Sequence, residues 1–267
     1  MTKKYFIVVL FGALLMSCSQ TGKLSATYTT LTVLSYNIHH ANPPLQAKAV
    51  IDLDTIAATI KAVDAELVAV QELDSVTKRS NGVYQLKVLA EKLGMYYHFE
   101  RTIPYEGGSY GIGILSKYPI KEATGYQLPS ITGIPTEPRK LLVVKVEINK
   151  RPVYFACTHF DFKNREVKML QAREMVNVFS SLKKQRLIIG GDFNAVPEEE
   201  SIQYLMQQYT NAGSMNAFTI PAERPNKKID YFFYQPNGLL LKKDSVLATH
   251  SYGSDHLPVM AAFTIIK

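Results

Sequence analysis

Twice along this chain a short apolar run stops at a polar residue, an amphipathic helical stripe follows, and a second apolar run stops in the same way. In the first copy Leu31 to Tyr36 is β-prone and ends at Asn37, with His39 and His40 just beyond. Val50, Leu53, Ala57 and Ile60 then recur at three- and four-residue spacing between Lys48 and Val63, which predicts a helix with one face on a sheet. Glu66 to Val70 predicts the second strand, stopping at Gln71 and Glu72. In the second copy Pro152 to Cys157 runs into His159 and Asp161, and Met169, Ala172, Val176 and Phe179 form the helical stripe. Leu187 to Ile189 then leads through Gly190 and Gly191 to Asp192, Phe193 and Asn194. Strand, helix, strand is the unit of layered α/β folds, where ligands sit at the ends of strands. The repetition therefore predicts that Asn37, Glu72, His159, Asp192 and Asn194 converge on one rim.

The rest of the chain supplies more of the same elements. Leu86, Leu89 and Leu93 predict a helix closed by Gly94, and Ile202, Leu205, Met206 and Tyr209 predict another. Tyr110 to Leu115, Leu141 to Ile148, Ile229 to Phe233 and Pro258 to Phe263 read as strands, whereas Leu128 to Pro138 carries three prolines and reads as loop. A content of 46% hydrophobic and 20% charged residues excludes disorder, and no linker or charge block divides residues 27–267, so a single domain is expected there. A net charge of +7 suits an anionic substrate without establishing nucleic-acid binding.

Residues 1–17 read as an address. Lys3 and Lys4 precede an apolar run from Phe6 to Met16, the length of a signal-peptide core and too short to span a bilayer as a helix. The run ends Leu15-Met16-Ser17-Cys18, which resembles a bacterial lipobox. Cys18 would be the lipid anchor, residues 18–26 a tether, and the location the extracytoplasmic side of a bacterial cell envelope. The competing reading is a buried apolar N-terminus with an incidental cysteine. Only Cys157 remains beyond it, which excludes an intrachain disulfide framework and a cysteine-rich zinc site.

Glu72, Asp192, Asp230 and Asp255 offer hard oxygen ligands, and Asn37 and Asn194 offer neutral carbonyls, a set suited to Mg²⁺, Mn²⁺ or Ca²⁺ rather than zinc. His159 and His256 add donors that can stabilise charge on a phosphoryl group. Each signal has a plainer alternative. Gly190 to Asn194 could be a glycine-rich turn, Asp230 could pair with Lys227 or Lys228, Asp255 and His256 could cap a loop, and His159 could be a hydrogen-bonded core histidine. Their joint occurrence at strand ends favours chemistry.

Six stretches occur in an order that resembles the endonuclease/exonuclease/phosphatase family. They are Asn37 in Ser-Tyr-Asn, Glu72 in Gln-Glu-Leu-Asp, His159 in Thr-His-Phe-Asp, Gly-Asp-Phe-Asn at 191–194, Asp230, and Ser-Asp-His at 254–256. The resemblance spans about residues 30–265 and also takes in Gly111 to Ile120. It implies an α/β fold in four layers, a sandwich of two mixed sheets packed face to face with helices outside. It implies a divalent-metal-dependent hydrolase of phosphoester bonds, with Glu72 holding the metal helped by Asn37, and Asp192 activating water beside Asn194. Asp230 would orient His256, His159 and His256 would contact the phosphate, and Asp255 would lie near the metal or steer a histidine. Arg139 is expected as a phosphate clamp or as a surface ion pair, and Lys78 and Arg79 as an anion-greeting rim or a solvated turn. The resemblance leaves the substrate open among DNA, RNA, phospholipid and inositol phosphate. The expected protein is a monomer touching the membrane through its anchor, and a catalytically silent binding module on the same fold is the alternative.

Overall fold

The computed structural model describes residues 1–2 and 29–266, so Cys18, the tether expected at residues 18–26 and all but the first two residues of the expected signal peptide lie outside the described residues. The first elements in chain order are β1 (Thr29–Asn37), α1 (Leu53–Ala62), β2 (Leu67–Ser75), α2 (Gln85–Leu93), β3 (Tyr96–Tyr105), β4 (Gly108–Ser116), β5 (Ile120–Leu128) and β6 (Arg139–Ile148). They continue with β7 (Arg151–His159), α3 (Arg165–Val178), β8 (Leu187–Asp192), α4 (Glu200–Gln208), β9 (Thr210–Ala212), β10 (Asp230–Tyr234), β11 (Leu239–Val246) and β12 (Val259–Ile265). One sheet has the order β11-β12-β1-β2-β4-β3 and the other β5-β6-β7-β8-β10-β9. Each is mixed. The parallel pairs are β1 with β2 and β7 with β8, at the centre of each sheet, and these are the two strand-helix-strand units.

Three apolar layers hold the sandwich. Leu31, Val33, Ala69 and Ile114 meet Leu142, Val144, Phe155 and Phe232 between the sheets. Leu34, Val68 and Val70 point the other way, against Ile56 and Ile60 of α1 and Leu86 and Leu89 of α2. Ala156, Ile189, Tyr231 and Phe233 likewise pack on Ala172 and Met175 of α3 and Ile202 and Leu205 of α4. Helices, sheet, sheet, helices is the four-layer order that the motifs imply. Strands buried on both faces read as continuous apolar runs, which is why the central strands are legible in the sequence.

Local chemistry moves some boundaries. α1 begins at Leu53 rather than Lys48 because the Asp52 carboxylate caps it, accepting from Thr55 N at 2.9 Å, and Val50 stays outside the helix and exposed. α2 ends where expected, with Gly94 in the left-handed conformation at φ 63°. The buried face of α3 is Val167, Lys168, Gln171, Ala172 and Met175, rotated from the Met169 and Val176 stripe because two long polar side chains are drawn under the rim. β2 does not stop at Glu72. It continues to Ser75 through a bulge, a register shift against β4 between Val70 and Leu73.

Candidate functional site

All the chemistry-bearing strands meet at one rim. β1, β2, β7 and β8 run towards it, so Asn37, His159 and Asp192 are the last residues of their strands. β6, β10 and β12 start there because they run antiparallel to those neighbours, which puts Arg139 and Asp230 at strand starts and His256 just before one. Register fixes the rest, since Asp192 is paired with His159 on one side and Asp230 on the other. Gly190 and Gly191 belong to β8 and are not a turn. A Cβ on Gly191 would lie 2.4 Å from the Thr158 carbonyl oxygen of β7, so only glycine allows the strands this close.

Asp192 is the centre of the arrangement and is 1% exposed. Asn37 Nδ2 donates to Asp192 Oδ2 at 3.0 Å and to Glu72 Oε1 at 3.1 Å, tying the two sheets together. Asn194 N donates to Asp192 Oδ1 at 2.8 Å, from a left-handed backbone at φ 49°, while Asn194 Nδ2 is fastened to the Phe160 carbonyl. His159 Nε2 lies 3.5 Å and His256 Nε2 3.8 Å from Asp192 Oδ2. His256 Nδ1 faces Asp230 Oδ2 at 3.0 Å, so Asp230 pairs with this imidazole rather than with Lys227 or Lys228. The bulge in β2 holds Glu72 at φ 57°, which turns its half-buried carboxylate into the cleft.

Burial and neighbouring charge set the protonation states. Burial alone would strip the proton from His256, but Asp230 and then Asp192 outweigh it and push the imidazole up to about 10. His159 moves the other way, held well below its usual range by burial, by Arg139 and by His256. Burial, followed by Asp230, raises the Asp192 carboxyl to about 7, against the opposing pull of His256. At neutral pH the rim therefore holds one imidazolium, one neutral imidazole and a carboxylate with raised proton affinity.

A cleft of about 280 Å³ opens over this cluster, walled by Glu72, Arg139, His159, Asp192, Asn194 and His256. Asn37 and Asp230 lie beneath it, 1% and 2% exposed. Arg139 is 4% exposed, so it is a rim residue and not a surface ion pair, although Glu137 does hold it at 2.9 Å. Asp255 is half-buried, accepts from Ser254 Oγ at 3.3 Å, and is not among the residues that wall the cleft. Four residues with no assigned role in the sequence reading also belong here. Tyr110, Glu137 and Phe162 complete the walls, and buried Lys168 donates to the Asn194 carbonyl at 2.7 Å.

The donor set fits a hard divalent cation. Glu72 contributes a carboxylate whose Oε2 has no hydrogen-bond partner among the described residues, at the wall of the cleft. Asp192, Asp230 and His256 form a second, buried group whose donor atoms lie within 4.8 Å of one another. In that group His256 Nδ1 is already engaged by Asp230 and carries a proton, so as it stands the trio is an ion-pair network.

Fold and site together define a two-sheet α/β sandwich with carboxylates and imidazoles gathered over its central strands. The model of the Endonuclease/Exonuclease/phosphatase family matches residues 34–256, and the chain belongs to that family. A relative in Escherichia coli K12, the uncharacterised protein YbhP, is 22% identical over 86% of this chain and 94% of its own. Among solved structures, a family member from Bacteroides thetaiotaomicron has a TM-score of 0.75 at 19% identity, covering 90% of this chain and 99% of its own. A mannosyl-6-phosphatase from Bacteroides thetaiotaomicron VPI-5482 has a TM-score of 0.70 at 20% identity, covering 87% and 99%. At such identities these structures show a shared fold.

Proposed function

We propose that the chain is a divalent-metal-dependent hydrolase of phosphoester bonds. The observation that carries this reading is the Asp192 carboxylate lying between two imidazole Nε2 atoms, at 3.5 and 3.8 Å, on the wall of a cleft that Glu72 shares. Asp192 takes the proton from the attacking water, a role that its raised proton affinity suits at neutral pH. Asn194 and Asn37 position it through backbone and side-chain amides. His256, charged and braced by Asp230, and neutral His159, donating from Nε2, hold phosphate oxygens as negative charge develops on them. Glu72, steadied by Asn37, would hold the cation, which when bound lowers the energy of charge on the phosphate and on the leaving oxygen. Magnesium or manganese suits the oxygen donors best, with calcium the third choice. Arg139 adds a cation at the cleft wall.

Attachment to a bacterial envelope membrane through Cys18 is part of the same proposal and rests on residues 3–18 of the sequence alone. Radiolabelled palmitate should enter the wild-type chain in cells and be absent from Cys18→Ala.

The activity is tested on p-nitrophenyl phosphate and bis-p-nitrophenyl phosphate, with protein stripped by EDTA and then supplied with Mg²⁺ or Mn²⁺. Hydrolysis that vanishes on stripping and returns with the cation is expected. A rate indifferent to EDTA removes the metal from the account, and no hydrolysis of either ester favours a silent binding module.

A further inference from the structure

Beside the catalytic cleft lies a smaller compartment of about 140 Å³, walled by Glu72, Arg79, Ile103, Tyr105, Tyr110 and Glu137. It shares Glu72, Tyr110 and Glu137 with the cleft, so a group bound there adjoins a phosphate held over Asp192. Its volume lies below the roughly 300–1,000 Å³ of pockets for drug-sized ligands and suits a single small ring.

Its most elaborately held wall is Arg79. Asp74, 0% exposed and just past the β2 bulge, accepts from Arg79 Nε at 2.7 Å and Nη2 at 2.9 Å. Buried Thr77 donates to the same carboxylate at 2.8 Å, Asp74 N donates to buried Gln85 at 2.9 Å, and Gln85 Nε2 donates onward to the His40 carbonyl at 2.6 Å. The guanidinium then lies 4.5 Å from the centre of the Tyr105 ring and 5.6 Å from that of Tyr110. Arg79 Nη1 has no hydrogen-bond partner among the described residues. A buried network thus fixes one edge of a fork and leaves a donor free.

Charge decides what this donor greets. The Arg79 cation is answered by Asp74 and the Arg139 cation by Glu137, and a cation held by Glu72 would be committed to the phosphate undergoing hydrolysis. A second phosphate would find no uncommitted cation among the described residues of this wall. An uncharged ring bearing hydroxyls meets a guanidinium that donates, carboxylates that accept, phenols that do either, and the flat apolar faces of Tyr105 and Ile103 for its carbon skeleton.

Building on the hydrolase reading above, we infer that this compartment is a leaving-group subsite for a single polyhydroxylated ring, and that the substrates are monophosphate esters of sugars. Water oxygen joins phosphorus, the bond from phosphorus to the sugar oxygen breaks, and that oxygen leaves with a proton as the free sugar hydroxyl. Arg79 and Tyr105 act here as specificity residues and stay out of the chemical step.

The test compares phosphate release from mannose 6-phosphate, ribose 5-phosphate, fructose 1,6-bisphosphate and cyclohexyl phosphate by the Mg²⁺-loaded chain, with p-nitrophenyl phosphate as the reporter of chemistry. Cyclohexyl phosphate has a ring without hydroxyls, and the bisphosphate carries the second charge. The wild type should favour at least one sugar monophosphate over both by about tenfold or more in kcat/KM. Arg79→Lys, which keeps a cation beside buried Asp74, should lose about tenfold on that sugar ester and stay within twofold on p-nitrophenyl phosphate, whose ring has no hydroxyl for the free donor to meet. Hydrolysis of p-nitrophenyl phosphate without preference for either sugar ester overturns the subsite and leaves the hydrolase standing. Equal losses on both kinds of ester in Arg79→Lys also overturn it. No hydrolysis of any ester sinks the hydrolase reading and this one with it.

Discussion

Arg139 Nη1 lies 3.1 Å from His159 Nδ1, and because a guanidinium can only donate, that ring nitrogen must be the acceptor. The proton of neutral His159 then sits on Nε2, the atom that points at Asp192 and the cleft. A buried arginine thus selects the tautomer that donates into the site, and by its charge it also keeps the ring neutral.

Arg139→Met should therefore lower kcat/KM on p-nitrophenyl phosphate by about 10- to 100-fold, the range expected when a hydrogen bond from a charged donor is removed. Arg139→Lys, which lacks the planar fork, should recover little of the loss. Activity within twofold of wild type in both variants would mean that another group orients His159.

The two rim imidazoles should titrate in opposite directions. In an NMR titration His256 should keep its proton through pH 8 and lose it near pH 10, while His159 stays neutral throughout that range. A folded-state affinity raised above the ordinary value near 6.5 stabilises the fold fully below that pH. That contribution is lost as pH rises through about 10. A His256 signal titrating near 6.5 would dissolve the ion pair with Asp230.

Lys168 is an interior lysine with two partners, the Asn194 carbonyl and Glu199 Oε2, each at 2.7 Å. Lys168→Met leaves both short of a donor and should destabilise the fold by about 1–3 kcal/mol in urea titrations. It should also lower activity, because the Asn194 segment holds Asp192. A change under about 0.5 kcal/mol would show that water replaces the ammonium without penalty.

Gly191→Ala pushes a methyl group against the backbone of β7 and should cost about 1–3 kcal/mol in the same titration. Because Asp192 is the next residue, kcat should fall with stability. A variant as stable and as active as the parent would mean that the two strands separate freely.

The central strands were legible from sequence, and the edges were not. β3 and β11 border one sheet and β5 and β9 the other, and none of these four sustains an apolar run along its length, the three leucines that open β11 giving way to Lys242, Lys243 and Asp244. Edge strands face water along one side and carry polar residues there, as Lys121, Glu122, Lys242 and Lys243 do here. The site shows the same division. Asn37, His159 and Asp192 were visible because an apolar strand stops at each of them. Lys168 and Gln171 were not, since a polar residue on a helix reads as solvent-facing until the fold draws it under the rim. Glu137 and Tyr110 gain meaning only when strands far apart in sequence meet at the cleft. The role expected of Asp255 came from the resemblance, and its half-buried carboxylate, bonded to Ser254 Oγ, lies off the cleft wall but close enough for its charge to act on His256.

The most direct test is the hydrolysis of p-nitrophenyl phosphate by Asp192→Asn in saturating Mn²⁺, with folding verified by circular dichroism. The substitution keeps the shape of the side chain and removes its capacity to accept a proton from water, so kcat should fall by about a thousandfold or more. A folded Asp192→Asn protein that turns over within tenfold of wild type would contradict the account.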